Sequence, residues 1–299
     1  MNSTSLLVLT PAKVNLILRV LERRPDGFHA IWSLMHTVGL NDELTLTMKP
    51  AAASRIALRC DHATLAVDHT NLVYRAAQLV LARADQAIDL SISLTKRIPM
   101  GAGLGGGSSD AAATILGLTR LLGLEWSVEQ MAEVGQQLGS DVPFFFVAPA
   151  ACVTGRGEQV RPVQVTGRRW IVLVNPGFPV ETKWAYQQLA ATRRGVRPLS
   201  EAVQQLGHRS ALDWSEVIPL VENDFETPVF AQHPVLAQLK SQLLSLGAEV
   251  ALLSGSGATM FGVFRDEAAA QQAALVCGRN PNMKAYAVPA AGAPSMTVI

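Results

Sequence analysis

Residues 99–110 read Pro-Met-Gly-Ala-Gly-Leu-Gly-Gly-Gly-Ser-Ser-Asp, with five glycines in seven positions just before a helix-forming run. No other segment restricts the fold as much. Glycine lets a backbone turn through left-handed conformations and approach a bound group closely. A helix start presents unpaired N–H groups and the positive end of the helix dipole, which suits an anion. A Walker A loop is excluded, because no Lys follows the last glycine. Gly101, Gly103 and Gly106 fit G-x-G-x-x-G, but a dinucleotide fold wants that turn directly after an apolar strand. Here Lys96-Arg97-Ile98-Pro99-Met100 intervenes. The remaining readings are a plain surface loop and a phosphate loop of another fold; the helix that follows favours the second.

The flanking pattern mixes strands and helices. In residues 11–20, Val14, Leu16, Leu18 and Val20 share one face of an extended chain, and Lys13, Asn15, Ile17 and Arg19 share the other. Arg24-Pro25-Asp26-Gly27 is a turn. Extended runs follow over 28–40 and 44–48, with Asn41-Asp42-Glu43 read as a turn between them. Asn71 caps a helix over 72–84, and residues 89–98 alternate as a strand. Helices are expected over 111–122 and over 128–138, the latter between Ser127 and Gly139. Ser140-Asp141-Val142-Pro143 is a loop before an apolar strand at 144–147. A buried strand at 169–175 opens a second half. It continues with a helix at 235–246, strands at 248–253 and 259–264 joined by Ser254–Gly257, and a helix at 266–276. The tail from Ala287 is read as loose. This order predicts an α+β fold, and 299 residues suit two domains, placed at 1–165 and 166–299.

Composition excludes several function classes. Lys plus Arg number 25 and Asp plus Glu 24, without the basic excess of a nucleic-acid binder. Charged residues are 16% and hydrophobic ones 49%, so the chain can bury a large core. Three scattered cysteines suggest neither a disulfide framework nor a cysteine zinc site. No apolar run is long enough for a membrane helix, and no basic residue precedes Leu6–Leu9 as in a signal peptide. A cytoplasmic protein with no membrane, nucleic-acid or obligatory protein partner is expected. His36, His62, His69, His208 and His233 lack metal-ligand spacing, so metal ligands are left unassigned.

The stretch from Pro99 to Ser109 resembles the phosphate loop of the GHMP small-molecule kinases. Pro11-Ala-Lys-Val-Asn15, Arg24-Pro-Asp-Gly-Phe-His29, Thr70-Asn71-Leu72, Ser140-Asp-Val-Pro143, Asn175-Pro-Gly177 and Ser254-Gly-Ser-Gly-Ala258 occur in family order over nearly the whole chain. Together they are most similar to the branch that phosphorylates a cytidine-diphosphate methylerythritol for isoprenoid precursors by the non-mevalonate route. The resemblance implies an N-terminal ribosomal-protein-S5-like domain and a C-terminal ferredoxin-like domain, with the active site in the cleft between them. The implied reaction moves the γ-phosphate of ATP to a 2-hydroxyl of that substrate, with Mg²⁺ accompanying the nucleotide.

By the same resemblance, ATP meets Pro99, Met100, Gly101, Ala102, Gly103, Leu104, Gly105, Gly106, Gly107, Ser108 and Ser109, with Asn71 near the adenine. On residue pattern alone Asn71 is an N-cap, Asp141 a loop capping group and Lys13 a solvated strand residue. The resemblance makes Asp141 the base and sets Lys13 beside it, with Asn15 on a substrate hydroxyl. Phe28 and His29 become one wall of a cytosine pocket, Tyr186 the opposite aromatic and Thr182 a further contact. The family usually has Tyr at position 28; Phe keeps the stacking face and loses the hydroxyl. Ser254–Gly257, otherwise a hairpin turn, would close over phosphates or substrate. The alternatives are a GHMP kinase for homoserine, mevalonate or a sugar, a nicotinamide oxidoreductase, and a non-catalytic nucleotide sensor.

Overall fold

The computed structural model describes residues 3–84, 86–290 and 295–298. The first half begins with two long antiparallel strands, β1 (Thr4–Arg23) and β2 (His29–Pro50), joined through the Pro-Asp-Gly turn. β3 (Arg55–Cys60), α1 (Leu72–Leu81), β4 (Ile88–Thr95), α2 (Gly106–Leu121) and α3 (Val128–Gln136) follow, then β5 (Ala150–Gly155), β6 (Gln159–Pro162) and β7 (Gln164–Thr166). The second half contains β8 (Trp170–Asn175), α4 (Thr182–Thr192), α5 (Glu201–Leu206), β9 (Ala211–Asp213), α6 (Trp214–Val217), β10 (Glu222–Asn223) and α7 (Glu226–Gln232). It ends with α8 (Pro234–Ser245), β11 (Val250–Leu253), β12 (Met260–Phe264), α9 (Glu267–Cys277), β13 (Lys284–Pro289) and β14 (Ser295–Val298).

The large sheet runs β10-β1-β2-β4-β3, with β14 also on β1 and β5 linking β2 to β6. Helices α1, α2 and α3 pack together over it. The smaller sheet has the order β11-β12-β8-β13. With α8 between β8 and β11, and α9 between β12 and β13, it is a ferredoxin-like split unit. The fold is therefore α+β. The division expected at 165/166 falls inside β7, which pairs with β9, while β10 and β14 of the second half pair with β1.

Local chemistry explains the main elements. Asn71 caps α1 by accepting from Val73 N–H, and Val73, Ala76, Ala77 and Val80 form its buried stripe. Ser127 and Gln130 close a capping box at the start of α3. The helix expected from 111 begins earlier, at Gly106, so Gly106 to Asp110 form its first turns.

Four further expectations change. β2 runs through Asn41–Glu43 without a turn, because Asp42 is fully buried and paired with Lys96. A bulge between Asn15 and Ile17 shifts the register of β1. Ile17 therefore joins Val14 and Leu16 in one core, while Leu18 and Val20 turn to the other. Residues 144–147 are not a strand: Pro143 opens a 3₁₀ turn over Pro143–Phe146, as its fixed φ and missing N–H favour. Part of the tail read as loose is paired, since β13 extends to Pro289 and β14 lies on β1; residues 291–294 and 299 lie outside the described residues.

Two cores result. One fills the helix-covered faces of both halves, with Leu46, Leu90, Ala111, Ile115 and Leu118 in the first and Val172, Leu239 and Leu243 in the second. The other joins the two sheets, with Ala12, Val14 and Leu16 against Ile171, Leu173, Phe261 and Val263. Gly117 lets α2 lie close on the sheet: a Cβ there would stand 2.5 Å from Leu46 Cδ1. Glycine within a helix normally loses about 1 kcal/mol against alanine. Here a larger side chain gains nothing, because buried Leu46 has no room to move. We expect Gly117→Val to lower unfolding stability by about 1–3 kcal/mol, as overpacking does, in urea titration followed by circular dichroism.

Candidate active site

Two cavities adjoin the glycine loop. The larger, about 910 Å³, is lined by Lys13, Asn15, Phe28, His29, Asp141, Thr182 and Tyr186. The smaller, about 370 Å³, is lined by Asn71 and by every loop residue from Pro99 to Ser108. Gly103 and Gly105 border both. Ser109 borders neither; it is buried, and its hydroxyl is the buried side-chain polar atom left without a hydrogen-bond partner among the described residues.

Lys13 and Asp141 meet between these spaces. The Lys13 ammonium lies 3.2 Å from Asp141 Oδ2, with the Lys side chain almost buried and the Asp side chain about one-third exposed. Lys13 also donates to Asn15 Oδ1 at 2.7 Å. Asn15 Nδ2 donates to Ser33 Oγ, which donates to the Ile17 carbonyl exposed by the bulge. Through its backbone N–H, Lys13 bonds the Leu104 carbonyl of the glycine loop. Asp141 is set from the other side by the turn from Gly139 to Val142 and by buried Phe144 and Phe145.

The loop takes positive φ at Gly101, Gly103 and Gly105 (61°, 76° and 69°), conformations that favour glycine. A side chain on Gly103 would collide with the Ser254 carbonyl, and the Ser254 hydroxyl donates to the Gly103 carbonyl. A Cβ on Gly105 would sit 2.9 Å from Lys13 Cγ. The stretch Ser254–Gly257 thus comes from the second half to touch the glycine loop, and Ser256 Oγ is 3.0 Å from Thr182 Oγ. Asn71 keeps its capping role while bordering the smaller cavity, and its amide also donates to the Ala66 carbonyl.

The aromatic wall differs in detail from two facing rings at Phe28 and Tyr186. His29 itself stacks on Tyr186, with centroids 5.2 Å apart and planes 17° from parallel. Phe225 meets Tyr186 edge-on. Burial, with the charge of Asp141 adding to it, pushes the Tyr186 phenol up to about 12. Partial burial, then the charges of Arg193 and Arg23, hold His29 below the ordinary imidazole range. Phe28 is 56% exposed at the cavity mouth, with the Arg156 guanidinium 5.2 Å above its ring.

Arg23, Arg156 and Lys183 also line the larger cavity, and Lys96 the smaller; sequence reasoning gave them no role. Arg156 carried one usable signal, its place between Gly155 and Gly157, both at positive φ. The described residues hold no group of three His, Cys, Asp or Glu side chains suited to a metal. None of the described helices is long and apolar enough to cross a membrane.

Comparisons with known proteins bear on the family and the fold. The family description "GHMP kinases N terminal domain" matches residues 71–148, and "GHMP kinases C terminal" matches residues 201–281. A protein of Syntrophotalea carbinolica named 4-diphosphocytidyl-2-C-methyl-D-erythritol kinase is 42% identical over 94% of this chain and 97% of its own length. One of the same name from Geobacter metallireducens is 40% identical over 90% of this chain and 93% of its own. A crystal structure of 4-(cytidine 5'-diphospho)-2C-methyl-D-erythritol kinase, 33% identical, superposes with a TM-score of 0.75 over 95% of this chain and 98% of that one. These matches span both halves of the fold: the chain belongs to the 4-diphosphocytidyl-2-C-methyl-D-erythritol kinase family of GHMP small-molecule kinases.

Proposed function

We propose that this kinase transfers the γ-phosphate of ATP to the 2-hydroxyl of 4-diphosphocytidyl-2-C-methyl-D-erythritol, a step of the non-mevalonate route to isoprenoid precursors. The observation that carries the reading is the Lys13–Asp141 pair at the meeting of a glycine-lined cavity and an aromatic, basic one. ATP enters the smaller cavity, its phosphates on the loop from Pro99 to Ser108 and on the N–H groups of the first turn of α2, with Ser109 buried behind them. Asn71 stands near the adenine. The substrate fills the larger cavity between the halves 1–165 and 166–299. Its hydroxyl is held by Asn15 and gives its proton to Asp141, the oxygen attacks the γ-phosphorus, and ADP leaves. The Lys13 ammonium stands beside both the carboxylate and the developing negative charge. Arg23, Arg156 and Lys183 give the cavity a positive lining suited to a diphosphate, with Thr182 a further contact.

Because His29 and Tyr186 already touch, a cytosine has no room between them. It stacks beside the pair, against Phe28, with His29 at its edge. Mg²⁺ would be held mainly by the nucleotide phosphates, offsetting their charge; the unpaired Ser109 hydroxyl is a protein oxygen of the hard type this ion takes. We place the protein in the cytoplasm, acting on a small molecule without a nucleic-acid, membrane or obligatory protein partner. The direct test is ADP release with the cytidine-diphosphate substrate beside homoserine and mevalonate. Turnover of homoserine or mevalonate instead would replace this reading with another kinase of the superfamily.

Asp141→Asn should lower kcat by about 10²–10⁴-fold, the range of a general base, with ATP affinity nearly unchanged by calorimetry. Lys13→Ala should be as severe, and the double variant no worse than either, since both act on one hydroxyl. Gly105→Ala should push Lys13 from its place and lower kcat by roughly 10²-fold, as misplacement by about an ångström does, in a protein whose melting shows it folded. The uridine analogue of the substrate should be used far less well than the cytidine one, because unpaired buried polar groups are costly. His29→Ala should narrow that gap, while Phe28→Ala raises KM for both; equal use by the wild type would remove the cytosine pocket.

A further inference from the structure

On the kinase reading above, we propose that Arg193 is the positioning residue of the nucleobase wall: it ties α4 to the end of β1 and so decides which base the wall accepts. Arg193 directly follows α4 and reaches back to the first half. Its Nη1 donates to the Val20 carbonyl at 2.7 Å and its Nη2 to the Leu21 carbonyl at 3.0 Å. Both acceptors lie just before the turn that carries Phe28 and His29, and Arg23 of β1 pairs with His29 of β2.

The acceptors are themselves held still. Buried Arg19 binds Asp224 and Glu222 and donates to the Arg197 carbonyl, while Asp224 accepts from Val20 N–H. On α4 only Ala185 and Leu189 are fully buried, with Trp184 and Tyr186 packed part-way, so the Arg193 bonds add a directional tie to a shallow apolar contact. That helix presents Thr182 and Tyr186 to the substrate cavity. The two forks of one guanidinium therefore fix both partners of the His29–Tyr186 stack relative to each other.

Arg193 also acts on the His29 ring through its charge. Tyr186 of α4, Arg193 after it and Arg23 at the end of β1 face the ring, and both cations disfavour an added proton. Nearby acids are engaged elsewhere, Asp141 by Lys13 and Asp26 by Arg24. A neutral imidazole offers an acceptor for the exocyclic amine of cytosine. A protonated one has only donors and suits the uracil carbonyl at that position. Base preference should thus vanish as pH falls through the His29 titration. Removing the Arg193 charge raises that midpoint, so preference is lost at a higher pH.

The test compares wild type, Arg193→Met, which keeps the stem without the charge, and Arg193→Lys, which keeps the charge and one carbonyl bond. kcat and KM are measured for the cytidine and uridine substrates across the imidazole range, about pH 5.5 to 8.5. The His29 ring is titrated by NMR without substrate. For Arg193→Met we expect a KM for the cytidine substrate about tenfold higher, equivalent to roughly 1.4 kcal/mol, with the KM for ATP within about twofold. We also expect a raised His29 midpoint and a cytidine preference that fades at higher pH. Arg193→Lys should restore the midpoint and only part of the KM. A folded Arg193→Met with an unchanged midpoint, or with an unchanged substrate KM, overturns the proposal. If wild type does not phosphorylate the cytidine substrate, the kinase reading fails; the NMR comparison still decides whether Arg193 governs His29.

Discussion

The ammonium of Lys96 lies between the carboxylates of Asp42 and Asp110, all three nearly out of water, and the glycine loop is suspended from that cluster. Lys96 stands where the chain enters the loop and Asp110 where it leaves, so one ion pair fixes both ends. The second oxygen of Asp42 takes the N–H groups of Arg97 and Ile98, and Asp110 takes the Thr10 hydroxyl at 2.7 Å. Burial raises the Asp110 carboxyl to about 6 against the pull of Lys96. A buried ion costs several kcal/mol unless it is paired and hydrogen-bonded, and each of these is. The loop so fixed offers the Leu104 carbonyl to Lys13 and leaves space at Gly105 for its side chain. Lys13 in turn meets Asp141. The reacting pair is thus located from two sides, by the loop and by the turn before Pro143.

Where the determinants are local, the chain reads plainly. Asn71 and Ser127 cap the helices they were expected to cap, and the Pro-Asp-Gly turn joins β1 to β2. The α+β class follows from element order, whereas the types of the two half-folds come from the family resemblance of the motifs. Asp42 was misread because a polar Asn-Asp-Glu run resembles a turn, and only its distant partner Lys96 explains a buried carboxylate in mid-strand. The bulge at Asn15–Ile17 has no glycine or proline to announce it; it leaves Lys13 and Asn15 at the cavity and sends Ile17 and Leu18 to different cores.

The candidate site was legible only as a set of motifs. On its own pattern Lys13 is a solvated strand residue, and the groups that enclose it, the glycine loop and Asp141, lie about 90 and 130 residues away in sequence (104 − 13 and 141 − 13). Arg156 and Arg193 lie outside the motifs, and what matters about them is which groups they reach: Arg156 the Phe28 ring within the first half, and Arg193 the Val20 carbonyl across the cleft. The stack of His29 on Tyr186 joins residues 157 positions apart (186 − 29) and leaves no trace in either neighbourhood.

The strands β10 and β14 have a consequence for how the molecule is made. Both lie against β1, near the start of the chain, yet come from its last third. A ribosome that has released only the first half exposes β1 with its hydrogen-bonding edge bare along those positions. Such an edge is a template for wrong partners until the right ones arrive. The first-half sheet is complete only after residues 295–298 have been synthesised. The emerging chain must therefore hold β1 against β2 and α2 alone for most of translation.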